Sequence, residues 1–197
     1  MRDYDVRQSV WRLLEQEHAN DDDTLMLDEL SILNGSTRVD IAVINGEITG
    51  YELKSERDTL DRLPTQRDLY NRVLDRVSIV VAENHRDAAL RIIPEWWGVW
   101  IAHSTEQNRV EVSQEREAKK NVMLDAETIC SFLWRDEALQ ILESMGASRG
   151  VKSKPREAIY KRLTEVLSLD EICVQARKTL KTRQGWRVDR RLQKCDG

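Results

Sequence analysis

The chain has 197 residues, 40% of them hydrophobic and 34% charged, with a formal net charge of −4. That is the make-up of a globular protein with a real core and a heavily charged surface, long enough for one domain or one domain with a small appendage. No apolar run reaches the roughly 18 residues of a membrane span, and "MRDYDVRQSV" holds no apolar signal-peptide core, so no transmembrane helix and cytoplasmic residence are expected.

Along the chain, "DYDVRQSVWRLLEQEH" sets Val6, Val10, Leu13 and Leu14 at helical spacing and predicts an amphipathic helix over about 4–18. After the polar "ANDDD", "TLMLDELSI" reads as a short strand, 24–32, and "NGST" as a turn. "RVDIAVI" alternates apolar residues with others and is rich in β-branched side chains, so it reads as a strand. Asn45-Gly46 is a hairpin signal, and "EITGYELK" is the returning strand. "ERDTLDRLP" is a polar connection. "TQRDLYNRVLDR" is a helix with Thr65 as its cap or Pro64 in its first turn. "VSIVVA" reads as a strand buried on both faces. "NHRDAALRII" is a helix stopped by Pro94, "WGVWIAH" a strand and "RVEVSQ" a short edge strand. The fold class is therefore α/β, a mixed sheet containing a hairpin.

After Lys120 the pattern turns helical. "LDAETICSFLWRDEALQILESMG" predicts one broken helix or two, with Gly146 as C-cap. "SKPREAIYKRLTEVL" starts at Ser153 with Pro155 in its first turn. "SLDEICVQARKTL" opens with the capping box Ser168 and Glu171. The expected division is a core over 1–120 and a basic helical module with its tail over 121–197. Residues 1–149 carry 18 Lys and Arg against 29 Asp and Glu; residues 150–197 carry 13 against 6. A basic end on an acidic body fits an electrostatic arm for nucleic acid, or a helix surface that faces solvent or the acidic body itself.

Cys130, Cys173 and Cys195 lie far apart, and an odd count with no C-x-x-C pair argues against a disulfide framework or a zinc site. They are also too few for a four-cysteine iron–sulfur cluster. His18, His85 and His103 are equally scattered.

Chemistry gathers around the hairpin. Asp40 lies near the start of one strand, and Glu52 and Lys54 near the end of the next. Two carboxylates brought together across a hairpin make a hard oxygen site suited to Mg²⁺ or Mn²⁺, with the Leu53 carbonyl as a further ligand. A metal so held activates water for phosphodiester hydrolysis, and Lys54 orients that water or offsets the developing charge. The bland alternative is an ion pair between Glu52 and Lys54 on a strand surface. The metal reading needs a particular register. A two-residue turn would turn Asp40 away from Glu52. A three-residue loop of Ile44, Asn45 and left-handed Gly46 pairs Val43 with Glu47 and Asp40 with Gly50. Asp40, Glu52 and Lys54 then share a face, with Val39, Ile41, Val43, Tyr51 and Leu53 on the other.

Asp40 followed by Glu52-Leu53-Lys54 resembles the D…(D/E)-x-K signature of the PD-(D/E)XK nuclease superfamily. "QRDLY", Gln66 to Tyr70, resembles the Q-x-x-x-Y motif of some of its branches. The similarity covers about residues 4–103, with Val39 in place of the signature proline, and the stretch also looks like a small bacterial and phage branch. It implies an αβββαβ restriction-endonuclease-like core and a Mg-dependent deoxyribonuclease. Asp40 and Glu52 would bind metal, Lys54 and Gln66 would serve catalysis, and Tyr70 would contact DNA. The upstream acid of such sites would be Glu29, with Glu15 and Glu17 as rivals. Ser55 to Asp58 reads as a solvated loop, with Ser55 and Arg57 as candidate phosphate contacts. Trp96, Trp97 and Trp100 read as core rather than as base-stacking groups. Arg183, Arg187, Arg190 and Arg191 beside Trp186 are candidates for DNA phosphates or a charged tail. The partner expected is DNA, with no membrane and with a homodimer fitting paired cuts. The alternative is a non-catalytic module on the same fold that binds nucleic acid or a protein.

Overall fold

A computed structural model of the chain describes residues 1–107 and 109–183. Helix α1 (Asp3–Glu17) precedes strands β1 (Leu25–Ile32), β2 (Thr37–Ile44) and β3 (Ile48–Lys54). Helix α2 (Leu63–Tyr70), strand β4 (Arg76–Ala82), the short helix α3 (Arg86–Leu90) and strands β5 (Gly98–Ser104) and β6 (Val110–Arg116) follow. Helices α4 (Ala126–Ile129), α5 (Arg135–Ser144), α6 (Arg156–Val166) and α7 (Leu169–Thr182) complete the described chain. The fold is mixed α/β around one open six-stranded sheet ordered β1-β2-β3-β4-β5-β6. The first three strands form an antiparallel meander. β3–β4 and β4–β5 pair in parallel, and β6 returns antiparallel at the edge. No helix among the described residues is long and apolar enough to cross a membrane.

Each face of the sheet has its own cover, for reasons visible in the periodicities. On one face, α1 buries Val6, Val10, Trp11 and Leu14 against Ile41, Val43, Tyr51 and Leu53. Its spacing of apolar residues by three and four presents a single stripe to the strands. On the other face a larger cluster joins Ala42, Ile44, Val77, Ile79 and Val81 to Leu63 and Tyr70 of α2, and to Ile129, Leu142, Leu163 and Leu180 of the C-terminal helices. Residues from both sides of position 120 thus share one apolar cluster.

Boundaries fall largely where local chemistry puts them, but α3 ends at Leu90, short of Pro94, and there are three further corrections. Ser168 caps α7 in a reciprocal box with Glu171, and Gly146, at φ +69°, ends α5. Helix α6 starts at Arg156 with Pro155 as its N-cap, rather than at Ser153 with proline inside. Helix α2 carries Pro64 in its first turn but stops at Tyr70. The segment expected to continue that helix turns instead, and Arg76 already pairs in β4. The third correction is the hairpin. Its loop is Asn45-Gly46-Glu47, closed by Ile44 opposite Ile48. The Asn45 side chain accepts the Glu47 N–H at 3.1 Å. Gly46 is not left-handed. Ala42 therefore lies opposite Gly50, and Val43 opposite Thr49.

Gly50 is required for packing rather than for a carboxylate site. A Cβ there would come within 2.6 Å of Leu74 Cδ1 and 2.9 Å of Val39 Cγ2. Cys130 and Cys173 are free and buried, and burial pushes the Cys130 thiol up to about 12. Cys195 lies outside the described residues, as do Trp186, Arg187, Arg190 and Arg191.

Candidate functional site

The alternation of the hairpin breaks where the site was expected. In β1–β2 the ladder runs Asp28–Ile41, then Leu30–Val39, without a Glu29–Asp40 pair. Glu29 has φ +56°, a left-handed conformation that is uncommon outside glycine. The consequence shows in burial. Leu27 and Leu30 enter the same cluster, as do Val39 and Ala42, although an uninterrupted strand would put residues three apart on opposite faces. Val39 thus leaves the α1 face expected for it.

Asp40 sits at this break, beyond the last β2–β3 pair, Ile41–Tyr51. Its Oδ2 accepts the Leu53 N–H at 2.8 Å. Its Oδ1 accepts from Arg7 Nη2, also at 2.8 Å. Arg7 reaches in from α1 and donates through Nη1 to the Asp40 carbonyl and to Asp28 Oδ1 as well. A single guanidinium thereby ties α1 to β1 and β2, its several fixed donors reaching two carboxylates and a carbonyl. Burial and the Glu52 carboxylate still outweigh Arg7 and push Asp40 up to about 6. Sequence reasoning missed Arg7 because Asp3 and Arg7 look like an ordinary surface pair one helical turn apart.

Glu52, Lys54, Gln66 and Tyr70 do come together, and all four are buried. Glu52 Oε1 accepts from Lys54 Nζ and from Gln66 Nε2, each at 2.7 Å. Glu52 Oε2 lies 2.6 Å from the Tyr70 hydroxyl, which is equally close to the Arg38 carbonyl. Gln66 Oε1 accepts from Lys54 Nζ at 3.3 Å. Burial, then the neighbouring Glu52 charge, raises the Tyr70 hydroxyl far above its ordinary value. The Tyr70 ring stacks on Trp97, with centroids 6.1 Å apart. This is a closed network in which the lysine neutralises the carboxylate and the amide and phenol complete its hydrogen bonds. It is neither a surface ion pair nor a set of open ligand oxygens.

The other candidates disperse. Glu29 is half-buried and pairs with Arg38 at 3.4 Å. Leu53 puts its side chain into the α1-face core. Ser55 is buried rather than solvated, and Asp58 Oδ2 accepts both its N–H and its hydroxyl at 2.7 Å. Arg57 is exposed. Glu15 accepts from the Trp11 indole, and Glu17 is exposed at the end of α1. Trp97 is fully buried, with Trp96 and Trp100 partly so. Among the described residues, no three His, Cys, Asp or Glu side chains gather as a metal-ligand set. Asp40 and Glu52 have their oxygens engaged by protein donors, an arrangement that does not fit a hard cation's need for open carboxylates.

The basic C-terminal segment divides into two kinds of cation. Arg177, Lys181 and Arg183 bind the acidic body or a neighbouring helix, through Asp75 at 3.6 Å, Asp23 at 2.5 Å and Glu137 at 2.5 Å. Asp75 also accepts the Ile48 N–H. Asn121, equally unforeseen, holds the Asn71 and Leu74 carbonyls. Arg149, Lys152, Lys154 and Arg156, by contrast, are exposed along the α5–α6 connection. Lys152 reaches Glu143 and Arg156 its neighbour Glu157, while Arg149 and Lys154 form no ion pair with a described residue.

The family model described as bacteriophage P4 protein cII matches residues 2–194. The protein named "Protein cII" from Enterobacteria phage P4 is 24% identical over 124 residues, 63% of this chain and 47% of that protein. The chain thus spans about half the length of that relative. No solved structure matches. These similarities overturn the PD-(D/E)XK assignment, and with it the expectation of a Mg-dependent deoxyribonuclease. The motif was matched by residue type and spacing, which a buried structural ion pair satisfies equally well.

Proposed function

This chain belongs to the bacteriophage P4 protein cII family, and on that footing we propose that it is a non-catalytic module that binds nucleic acid through its basic helical segment. The observation that carries this reading is the set of exposed, incompletely paired cations at Arg149, Lys152, Lys154 and Arg156, on a chain whose remainder is acidic. Cations held away from an acidic body raise the local concentration of a polyanion even when the net charge is negative. The mixed α/β sheet serves as a scaffold. Its buried Glu52–Lys54 pair supports structure in place of chemistry.

The test is binding of the full chain to labelled duplex and single-stranded DNA by fluorescence anisotropy across salt. Backbone binding predicts affinity that falls steeply with salt and differs little among sequences. Affinity indifferent to salt, or no binding at low salt, would refute it. DNA incubated with the protein and Mg²⁺ is expected to remain intact.

A further inference from the structure

We propose that the cleft at the α5–α6 connection is a seat for one backbone phosphate of a nucleic acid, an inference that rests on the binding reading above. The cleft has a volume of about 380 Å³ and is lined by Gly146, Ser148, Arg149, Gly150, Lys152 and Ser153. Its lining holds two cationic side chains and no carboxylate. The nearest acid engaged with it is Glu143, 2.7 Å from Lys152 Nζ. A second basic cleft, along α7, is lined by Arg177, Lys178 and Lys181, but also by Asp23. Two of its three cations are committed to Asp75 and Asp23. A phosphate there would have to displace a carboxylate; at the α5–α6 connection it meets Arg149 unopposed.

The loop that forms the cleft is held in place from below. Arg135 donates to the Lys152 carbonyl at 2.5 Å and to the Lys154 carbonyl at 3.2 Å. The Val151 N–H donates to the Ser148 carbonyl, and the Lys154 N–H to the Val151 carbonyl. Gly146 and Gly150 have φ of +69° and +86°, and a Cβ added to either meets nothing within 4 Å. They bend the loop while leaving its rim low, so a phosphate oxygen can approach the backbone. A guanidinium, an ammonium and the Ser153 hydroxyl are donor types that recognise a phosphodiester without reading a base. Because the loop is already ordered, little conformational freedom is lost on binding.

The experiment compares the salt dependence of duplex DNA binding for the full chain, for R149A/K152A, for the charge-retaining R149K/K152R and for R12A. Arg12 is exposed on α1, across the sheet. R149A/K152A is expected to bind about tenfold more weakly near 0.1 M salt, with a salt slope shallower by about 1–2. R149K/K152R and R12A should keep the wild-type slope. Unchanged binding by R149A/K152A, or an equal loss in R12A, would overturn the cleft assignment while leaving nucleic-acid binding standing. Wild-type protein that shows no salt-dependent binding would overturn both. Saturable micromolar binding of inorganic phosphate alone would reassign the seat to a free anion and also overturn the proposal.

Discussion

Replacing Arg7 with methionine should be the most damaging change to the polar part of the α1–sheet contact. The substitution keeps much of the aliphatic stem but removes four contacts, to Asp3 Oδ2, Asp28 Oδ1, Asp40 Oδ1 and the Asp40 carbonyl. The Arg7 and Asp40 side chains retain only 16% and 24% exposure, so water replaces the lost donors poorly. Breaking a fully buried pair costs roughly 3–5 kcal/mol, and the partial exposure here lowers that to about 2–4 kcal/mol. For a chain of this size that is a fall in Tm of about 5–15 °C. The cost should depend on pH with a definite sign. Asp40 titrates near 6 in the folded protein and near 4 when unfolded, so its contribution to stability is full below about pH 4. That contribution is lost as pH rises through 6, amounting to about 3 kcal/mol in all. Without Arg7 the folded value moves higher still, because the guanidinium, together with the Leu53 N–H, is what lowers it. R7M should therefore be penalised most at pH 7–8 and less near pH 5, where the carboxyl is protonated. R7M/D40N should recover much of the loss at neutral pH. Urea melts of wild type, R7M and R7M/D40N at pH 5 and 7.5 measure all of this. A pH-independent penalty, or a double variant no better than R7M, would refute the reasoning.

Two further changes probe the hairpin. Glu52→Gln leaves the Lys54 ammonium buried without its counter-charge and should cost about 3 kcal/mol in a urea melt, whereas E52Q/K54M, which removes both charges, should lie within about 1–2 kcal/mol of wild type. Equal losses in the two would mean that the ion pair is not what the network depends on. Gly50→Ala forces Leu74 and Val39 apart and should cost about 1–3 kcal/mol; a thermal melt matching wild type would show that this contact relaxes freely.

The elements were largely legible because each rests on local chemistry. The apolar stripe of α1, the buried run of β4 and the Ser168–Glu171 box each carry their structure within a few residues. The early end of α2 was not legible. "TQRDLYNRVLDR" has helical periodicity to its last residue, yet Asp75 accepts the Ile48 N–H and Arg76 pairs with Thr49. Sheet pairing there overrides local preference. The hairpin gave a mixed result. Three loop residues were expected and are present, but displaced by one position, since the Asn45 side chain closes onto Glu47 and Gly46 needs no special conformation.

What the sequence determined by itself was which residue types stand near one another along the hairpin and helix α2: Asp40, Glu52, Lys54, Gln66 and Tyr70. What only the tertiary structure decided was where their polar atoms point and what they meet. A left-handed Glu29 breaks the strand alternation, Arg7 arrives from a helix 33 residues earlier in the chain to take Asp40, and Glu52 is enclosed by three donors. Spacing constrains which side chains can meet. It does not say whether a carboxylate's lone pairs remain open or are taken by neighbours, and that difference separates a metal ligand from half of a structural ion pair.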